Sequence, residues 1–242
     1  MSESAGHSAS APAAPAPRLA RTWALAFLAA GILYAFTCQQ GPAWQDSGIF
    51  QLRVVRLDLT GWLGLALSHP ALIALGKLLH MLPAGPPAWR INLASALGGA
   101  IATANLAVLV RRILPRRTVL AWMAAGGFAL AHTPWWLATI CESQALYAAV
   151  FTAELHAVLS LVRHGRARDA ALLGLLSGLG WCVHNLALLA IPGYLAVAAC
   201  LLYQGRARLR SLTWLAGGWL VGSTGMWILV ARRAAETGLL DA

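Results

Sequence analysis

Asp46 stands in the stretch Gln45-Asp46-Ser47-Gly48-Ile49-Phe50, directly after the first apolar run long enough to cross a bilayer. A carboxylate beside a membrane can act as a general base, removing the proton from a hydroxyl that is otherwise a poor nucleophile. Other polar groups recur at comparable places: His69 before Pro70, Glu142 after the Trp135-Trp136 pair, and His184-Asn185 inside a long apolar stretch. Each also has a plainer reading. Asp46 can form an Asx-turn before Gly48, Glu142 can cap the helix that follows it, His69 can mark a helix start, and His184 can simply fill a turn. Glu154 falls within an apolar run, two residues before His156. An intramembrane carboxyl is costly and usually paired; a protonated group hydrogen-bonded between helices accounts for it more simply than a proton path.

The elements that would position these groups are membrane spans. The chain is 59% apolar and 11% charged, with a mean hydropathy of +0.66, outside the range of ordinary soluble domains. A helical span needs about 20 residues. Runs at about 22–39, 91–110, 118–136, 145–162, 170–203 and 211–231 meet or approach that length; 170–203 is read as a hairpin of two short spans, giving seven crossings. The fold class expected is therefore all-α, a polytopic helical membrane protein. The segment 43–88, interrupted by His69-Pro70, is expected to be one long outer loop holding short interfacial helices. The Ala/Pro/Ser-rich residues 1–17 are expected to form a disordered cytoplasmic tail, and 18–242 the membrane domain. The small-residue runs Gly98-Gly99-Ala100, Gly126-Gly127 and Gly217-Gly218 suit close helix packing.

The net charge of +10 does not indicate nucleic acid, because the basic residues lie in short clusters between apolar runs. Twelve of them fall on one side if the N-terminus is cytoplasmic, against six on the other: Arg53, Arg56, Lys77, Arg90, Arg232 and Arg233. That asymmetry favours an N-in orientation in an inner membrane of bacterial type. It also puts Asp46, His69, Glu142 and the turn at 183–185 on the outer face together. The four cysteines show no paired metal-ligand spacing, so no metal site is expected. Cys38, Cys141 and Cys182 share the outer side, where a disulfide could form.

The order Asp46-Ser47-Gly48-x-Phe50, His69-Pro70 with Lys77, and Arg90-x-Asn92-x-x-Ser95-Ala96 resembles the first luminal loop and second span of the protein O-mannosyltransferase-like family, domain of unknown function 2723. Glu142 with Leu146-Tyr147, and Gly178-Leu179-Gly180 with His184-Asn185, resemble later segments of the same family. The likeness runs from about Trp44 to Pro192. It implies the GT-C glycosyltransferase architecture, a short version of it here, with an acidic base in the first outer loop. On that resemblance Asp46 is the general base. His69, Lys77, Arg90 and Arg53 are candidates to stabilise a lipid phosphate leaving group, and Glu142, His184 and Asn185 to orient sugar or acceptor.

The function so implied is transfer of a sugar such as mannose from a polyprenyl-phosphate donor to a hydroxyl acceptor, such as one on a protein, at the outer membrane face. No cofactor is implied beyond the lipid-linked donor. The partners implied are membrane lipid, donor and acceptor, with a partner subunit supplying further spans as an additional expectation. The alternative is a non-catalytic membrane subunit or lipid-binding relative, favoured by Ile49 where the resembled segment carries an acid; a small transporter, resting on Glu154, ranks below it.

Overall fold

The computed structural model describes residues 19–62 and 64–237, so the tail expected over 1–17 lies outside the described residues. Regular structure among them is entirely helical. The helices are α1 (Leu19–Thr37), α2 (Gln45–Arg56), α3 (Pro70–His80), α4 (Pro87–Ile113), α5 (Thr118–Leu130), α6 (His132–Thr139), α7 (Ser143–His164), α8 (Ala167–Val183), α9 (Ala187–Tyr203), α10 (Arg210–Gly222) and α11 (Thr224–Thr237). A 3-10 turn, Leu65–Leu67, precedes α3.

α4 is the hub. Its buried face is built from small residues, among them Ala94, Ser95, Gly98, Gly99, Ala100 and Ala104, which let α1, α3, α5, α6 and α7 approach it. A Cβ on Gly98 would sit 2.5 Å from the Leu146 Cα, so α4 and α7 meet backbone to backbone there. α7 in turn carries α8, and α8 carries α9 and α10.

The expected crossings correspond to α1, α4, α5–α6, α7, α8, α9 and α10–α11. Of these, α1, α4 and α7 are each long and apolar enough to cross a membrane, and the bent pair α10–α11 counts as a fourth. The loop expected over 43–88 contains α2, the 3-10 turn and α3, as the His69-Pro70 interruption implied. The hairpin turn expected near 183–185 lies between α8 and α9.

Two expected spans are broken. The run 118–136 divides at Ala131, which is extended at φ −64° and ψ 139°. Pro134 has no N–H to continue the α5 ladder and its ring would clash with the preceding turn, so the helix restarts with that proline in its first turn. The run 211–231 bends by 59° at Ser223. The Ser223 hydroxyl donates to the Trp219 carbonyl at 2.7 Å, the side-chain-to-backbone bond that bends helices, and glycines flank the break at 222 and 225.

α8 and α10 run parallel and are the closest pair. A Cβ on Gly174, Gly178, Gly218 or Gly222 would lie between 2.0 and 2.2 Å from a carbonyl oxygen of the facing helix. Two small-xxx-small stripes therefore interlock, a right-handed type of membrane helix contact. Gly126 and Gly127 have nothing within 4 Å of an added Cβ, which corrects the expectation that this run serves close packing; in the Gly217-Gly218 run Gly218 packs and Gly217 does not.

The two ends of the bundle differ in chemistry. Arg112, near the end of α4, bonds His156 and Ser160 of α7, and Arg206, between α9 and α10, donates to Val162. At the other end, Asn185 donates to the Ala66 carbonyl and joins the hairpin turn to the long loop. Glu154 lies between these ends, fully buried, with its Oε2 accepting from Tyr194 of α9 at 2.5 Å. His156 turns away to α4, where its Nε2 donates to the Asn105 carbonyl at 2.9 Å, so Glu154 and His156 form no joint path. All four cysteines are free.

Candidate functional site

α2 is short because Leu57 adopts a left-handed conformation, φ 54°, and its N–H closes back on Arg53 and Val54. On this helix Asp46, Ile49, Phe50 and Arg53 follow at three- and four-residue spacing, so they share one face. That face borders a cavity of about 60 Å³, closed on the other side by Gly61, Trp62, Leu67 and His69. The volume is far below the several hundred Å³ of a typical ligand pocket, room for a small group rather than a whole ligand.

Asp46 is exposed, in the first turn of α2. His69 faces it from the start of α3, buried and held at φ 46°, ψ 49°. Among the described residues, the non-glycine residues with positive φ are Gln45, Leu57 and His69, all in this one loop. Such conformations cost about 1–3 kcal/mol each and persist where the surroundings impose them, which marks functional sites more often than ordinary turns.

The His69 Nδ1 lies 2.9 Å from the Val183 carbonyl. A carbonyl only accepts, so Nδ1 carries the proton and Nε2 keeps its lone pair. The ring meets Phe50 edge-on at 5.2 Å and lies 4.9 Å from the His184 ring. Burial lowers the His69 pKa to about 4; the Val183 bond opposes that shift, and the charges of His184 and Arg53 add to it. His184 is also pushed down by burial. Its Nδ1 accepts from the Leu186 N–H at 3.1 Å, so its neutral ring carries the proton on Nε2.

The His69 shift gives a pH prediction. A depressed folded-state pKa contributes stability above the ordinary value of 6.5, and that contribution is lost as pH falls from 6.5 to about 4. The loss is on the order of 2–3 kcal/mol. Glu142 works in the opposite sense, because burial raises its pKa and favours the folded state towards low pH. Comparing wild type with His69→Gln in chemical denaturation across this range isolates the histidine. The variant is expected to lose less stability on acidification, and parallel curves would remove His69 from the effect.

Glu142 lies behind Asp46 rather than in the cavity. Its backbone N–H donates to the Ser95 hydroxyl at 2.8 Å, its carbonyl accepts from that hydroxyl at 2.9 Å, and its Oε1 accepts from Ser47. Burial raises the Glu142 pKa, the Ser47 hydrogen bond opposes this, and the Asp46 charge adds to it. Gln51 and Asn92 complete the support: Gln51 Nε2 donates to Asn92 Oδ1 at 2.9 Å, and Asn92 Nδ2 donates to the Gln39 carbonyl at 2.9 Å. The first turns of α2 and α7 are thereby tied to α4.

Arg53 shapes the cavity most. It is 5% exposed, and its Nε, Nη1 and Nη2 donate to the carbonyls of Asp58 (3.2 Å), Leu67 (3.1 Å) and Ser68 (2.6 Å). Its charge has a distant partner in Asp58 at 3.9 Å. Gly61, at φ 69°, presses against it; an added Cβ would lie 2.9 Å from the guanidinium carbon. A guanidinium has five N–H donors. Three are used here, which leaves two without a partner among the described residues.

Asp46, His69, His184 and, behind them, Glu142 and Asn185 thus gather at one end of the bundle. Lys77 and Arg90 do not line the cavity: Lys77 Nζ donates to the Val55 carbonyl at 2.7 Å, and Arg90 Nη1 donates to the Leu82 carbonyl. Gln51 was not anticipated from sequence, and Arg53 only as one of several cations. The spacing of 46, 50 and 53 signals Arg53, and that of 47 and 51 signals Gln51, once α2 is read as a helix.

Residues 65–207, more than half of the chain, match the family model described as "Protein O-mannosyl-transferase TMEM260 N-terminal domain". The match takes in His69, Lys77, Arg90, Glu142, His184 and Asn185, and begins after Asp46 and Arg53. No curated protein and no solved structure compared with the chain matches it.

Proposed function

Because the chain belongs to the family of the protein O-mannosyl-transferase TMEM260 N-terminal domain, we propose that it is a membrane glycosyltransferase that moves a sugar, mannose by family kinship, from a polyprenyl-phosphate donor to a hydroxyl acceptor. The reaction takes place at the Asp46 end of the bundle, on the outer face of the membrane. The observation that carries this reading is that Asp46 and Arg53 border one small cavity from the same face of α2, a carboxylate and a guanidinium with two unused donors.

In this mechanism the Asp46 carboxylate takes the proton of the acceptor hydroxyl as its oxygen bonds to the anomeric carbon. The bond from that carbon to the phosphate oxygen breaks, and its electron pair leaves with the lipid phosphate. Arg53 receives the growing negative charge through its unused N–H groups, where a fixed and buried donor counts for more than one in water. Neutral His69 presents Nε2 as an acceptor for a sugar or acceptor hydroxyl without adding charge beside Arg53. Lys77 and Arg90, held by main-chain carbonyls outside the cavity, support the loop.

The test is a transfer assay on purified protein in lipid with radiolabelled polyprenyl-phosphate mannose. Labelled product from wild type supports the reading; no product from well-folded protein with this donor and a range of hydroxyl acceptors counts against it.

A further inference from the structure

At the end of the bundle away from Asp46, three turns are joined through arginines. Arg163 Nη2 donates to the Arg112 carbonyl at 2.6 Å, and Arg206 Nη2 to the Val162 carbonyl at 2.5 Å. A Cβ on Gly165 would lie 1.9 Å from the Arg206 carbonyl, so the turn after α7 sits directly on the turn after α9. The turns after α4, α7 and α9 therefore form one surface.

That surface carries four arginines from 111–117, three from 163–168 and three from 206–210. The acidic residue at this end, among the described residues, is Asp169, which lies 3.9 Å from His164. Arg116, Arg117, Arg166, Arg168, Arg208 and Arg210 are exposed and form no side-chain hydrogen bond or ion pair among the described residues. Arg111 adds a buried Nε without a partner, although its Nη1 bonds Thr118.

Ten like charges facing one acid repel one another unless something negative comes between them. Their position limits what that can be. These turns end α4 and α7, helices long and apolar enough to cross a membrane, so the guanidinium groups lie at the depth of the lipid head groups. A guanidinium fork fits a phosphate bidentately, and basic clusters at span ends draw anionic lipid. An acidic protein would have to displace that lipid layer first.

We propose that this arginine surface binds anionic phospholipid head groups and selects them over zwitterionic ones from the surrounding bilayer. The surface acts independently of the chemistry at Asp46, so the proposal stands or falls apart from the transfer reaction.

The experiment reconstitutes the full chain in mixed phosphatidylglycerol and phosphatidylcholine bilayers. After extraction, the lipid retained on the protein is measured by mass spectrometry against the bulk composition. Wild type is expected to retain phosphatidylglycerol well above its bulk share. Each neutralised arginine is expected to reduce that preference by up to about fivefold. Replacing Arg116, Arg117, Arg166 and Arg208 together by Gln is therefore expected to reduce it by about tenfold or more, while Lys at the same four positions keeps most of it. None of these side chains holds the fold together, and a thermal melt confirms that the variants are folded. Arg232→Gln with Arg233→Gln, at the opposite end, is the control, charge-matched to Arg116→Gln with Arg117→Gln, and is expected to leave the preference unchanged. The proposal is overturned by a wild type without preference, by equal losses in variant and control, or by displacement of the lipid by inorganic phosphate at constant ionic strength. An acidic protein retained in place of phosphatidylglycerol would overturn it as well.

Discussion

Asp46→Asn is expected to lower the turnover of sugar transfer by about 10²–10⁴-fold while leaving the protein folded. Asparagine keeps the shape of the side chain and can still accept a hydrogen bond, but it cannot take a proton. Asp46 is exposed and makes no hydrogen bond to another described residue, so its replacement leaves no buried group unpaired. The loss should appear in kcat, with donor KM changed little, because Arg53 rather than Asp46 faces the phosphate in this mechanism. A thermal melt that overlays wild type, alongside a turnover at least a hundredfold lower, meets the expectation. Undiminished transfer by the variant would exclude Asp46 as the base.

Gly178→Ala is expected to destabilise the membrane domain by about 3 kcal/mol or more. One methyl group there would lie 2.2 Å from the Trp219 carbonyl oxygen, and main chain cannot yield as a side-chain tip can. α8 and α10 would have to separate along their whole contact, and the Trp181–Trp219 stack at 5.5 Å would open with them. The comparison is Gly217→Ala, the same chemical change one helix away, where an added Cβ meets nothing within 4 Å. There the better helix propensity of alanine is expected to leave stability unchanged or raise it by up to about 1 kcal/mol. Unfolding in mixed micelles, followed by tryptophan emission, distinguishes the two. Similar effects at both positions would show that the interlock is not what holds α10.

Much of the architecture was legible because membrane spans write themselves into sequence as long apolar runs with arginines between them. The hairpin turn near His184 followed from the charge pattern alone, since both flanking clusters had to return to one end. Breaks inside apolar runs were harder to read. Pro134 and the Gly222-Ser223-Thr224-Gly225 stretch interrupt the helical ladder without interrupting hydropathy, so 118–136 and 211–231 read as single spans. Which glycines pack was also hidden: Gly126-Gly127 and Gly174…Gly178 look alike in one dimension, and only the partner helix distinguishes them.

At the site, the nearness of Asp46, His69 and His184 was legible from residue type and from the membrane face they share. The role of Glu142 was not, because its contact with Ser47 depends on how α2 docks against α7. Lys77 and Arg90 were chosen as cations near the loop; each donates one hydrogen bond to a main-chain carbonyl outside the cavity. Charge is visible in a sequence; the direction in which a long side chain reaches is not.

Arg53 holds the loop after α2 by the carbonyl oxygens of Asp58, Leu67 and Ser68, which every amino acid has. The course of that loop is set by this guanidinium, by Gly61, by the Asp58 carboxylate, which accepts from Thr60 and Gly61, and by the buried Leu65. Trp62 and Leu67, which border the cavity, are free to be exchanged without moving the chain that presents them. The shape of the entrance is thereby separated from the identity of its lining. A change in acceptor preference would then require new side chains at two or three positions, and no new fold.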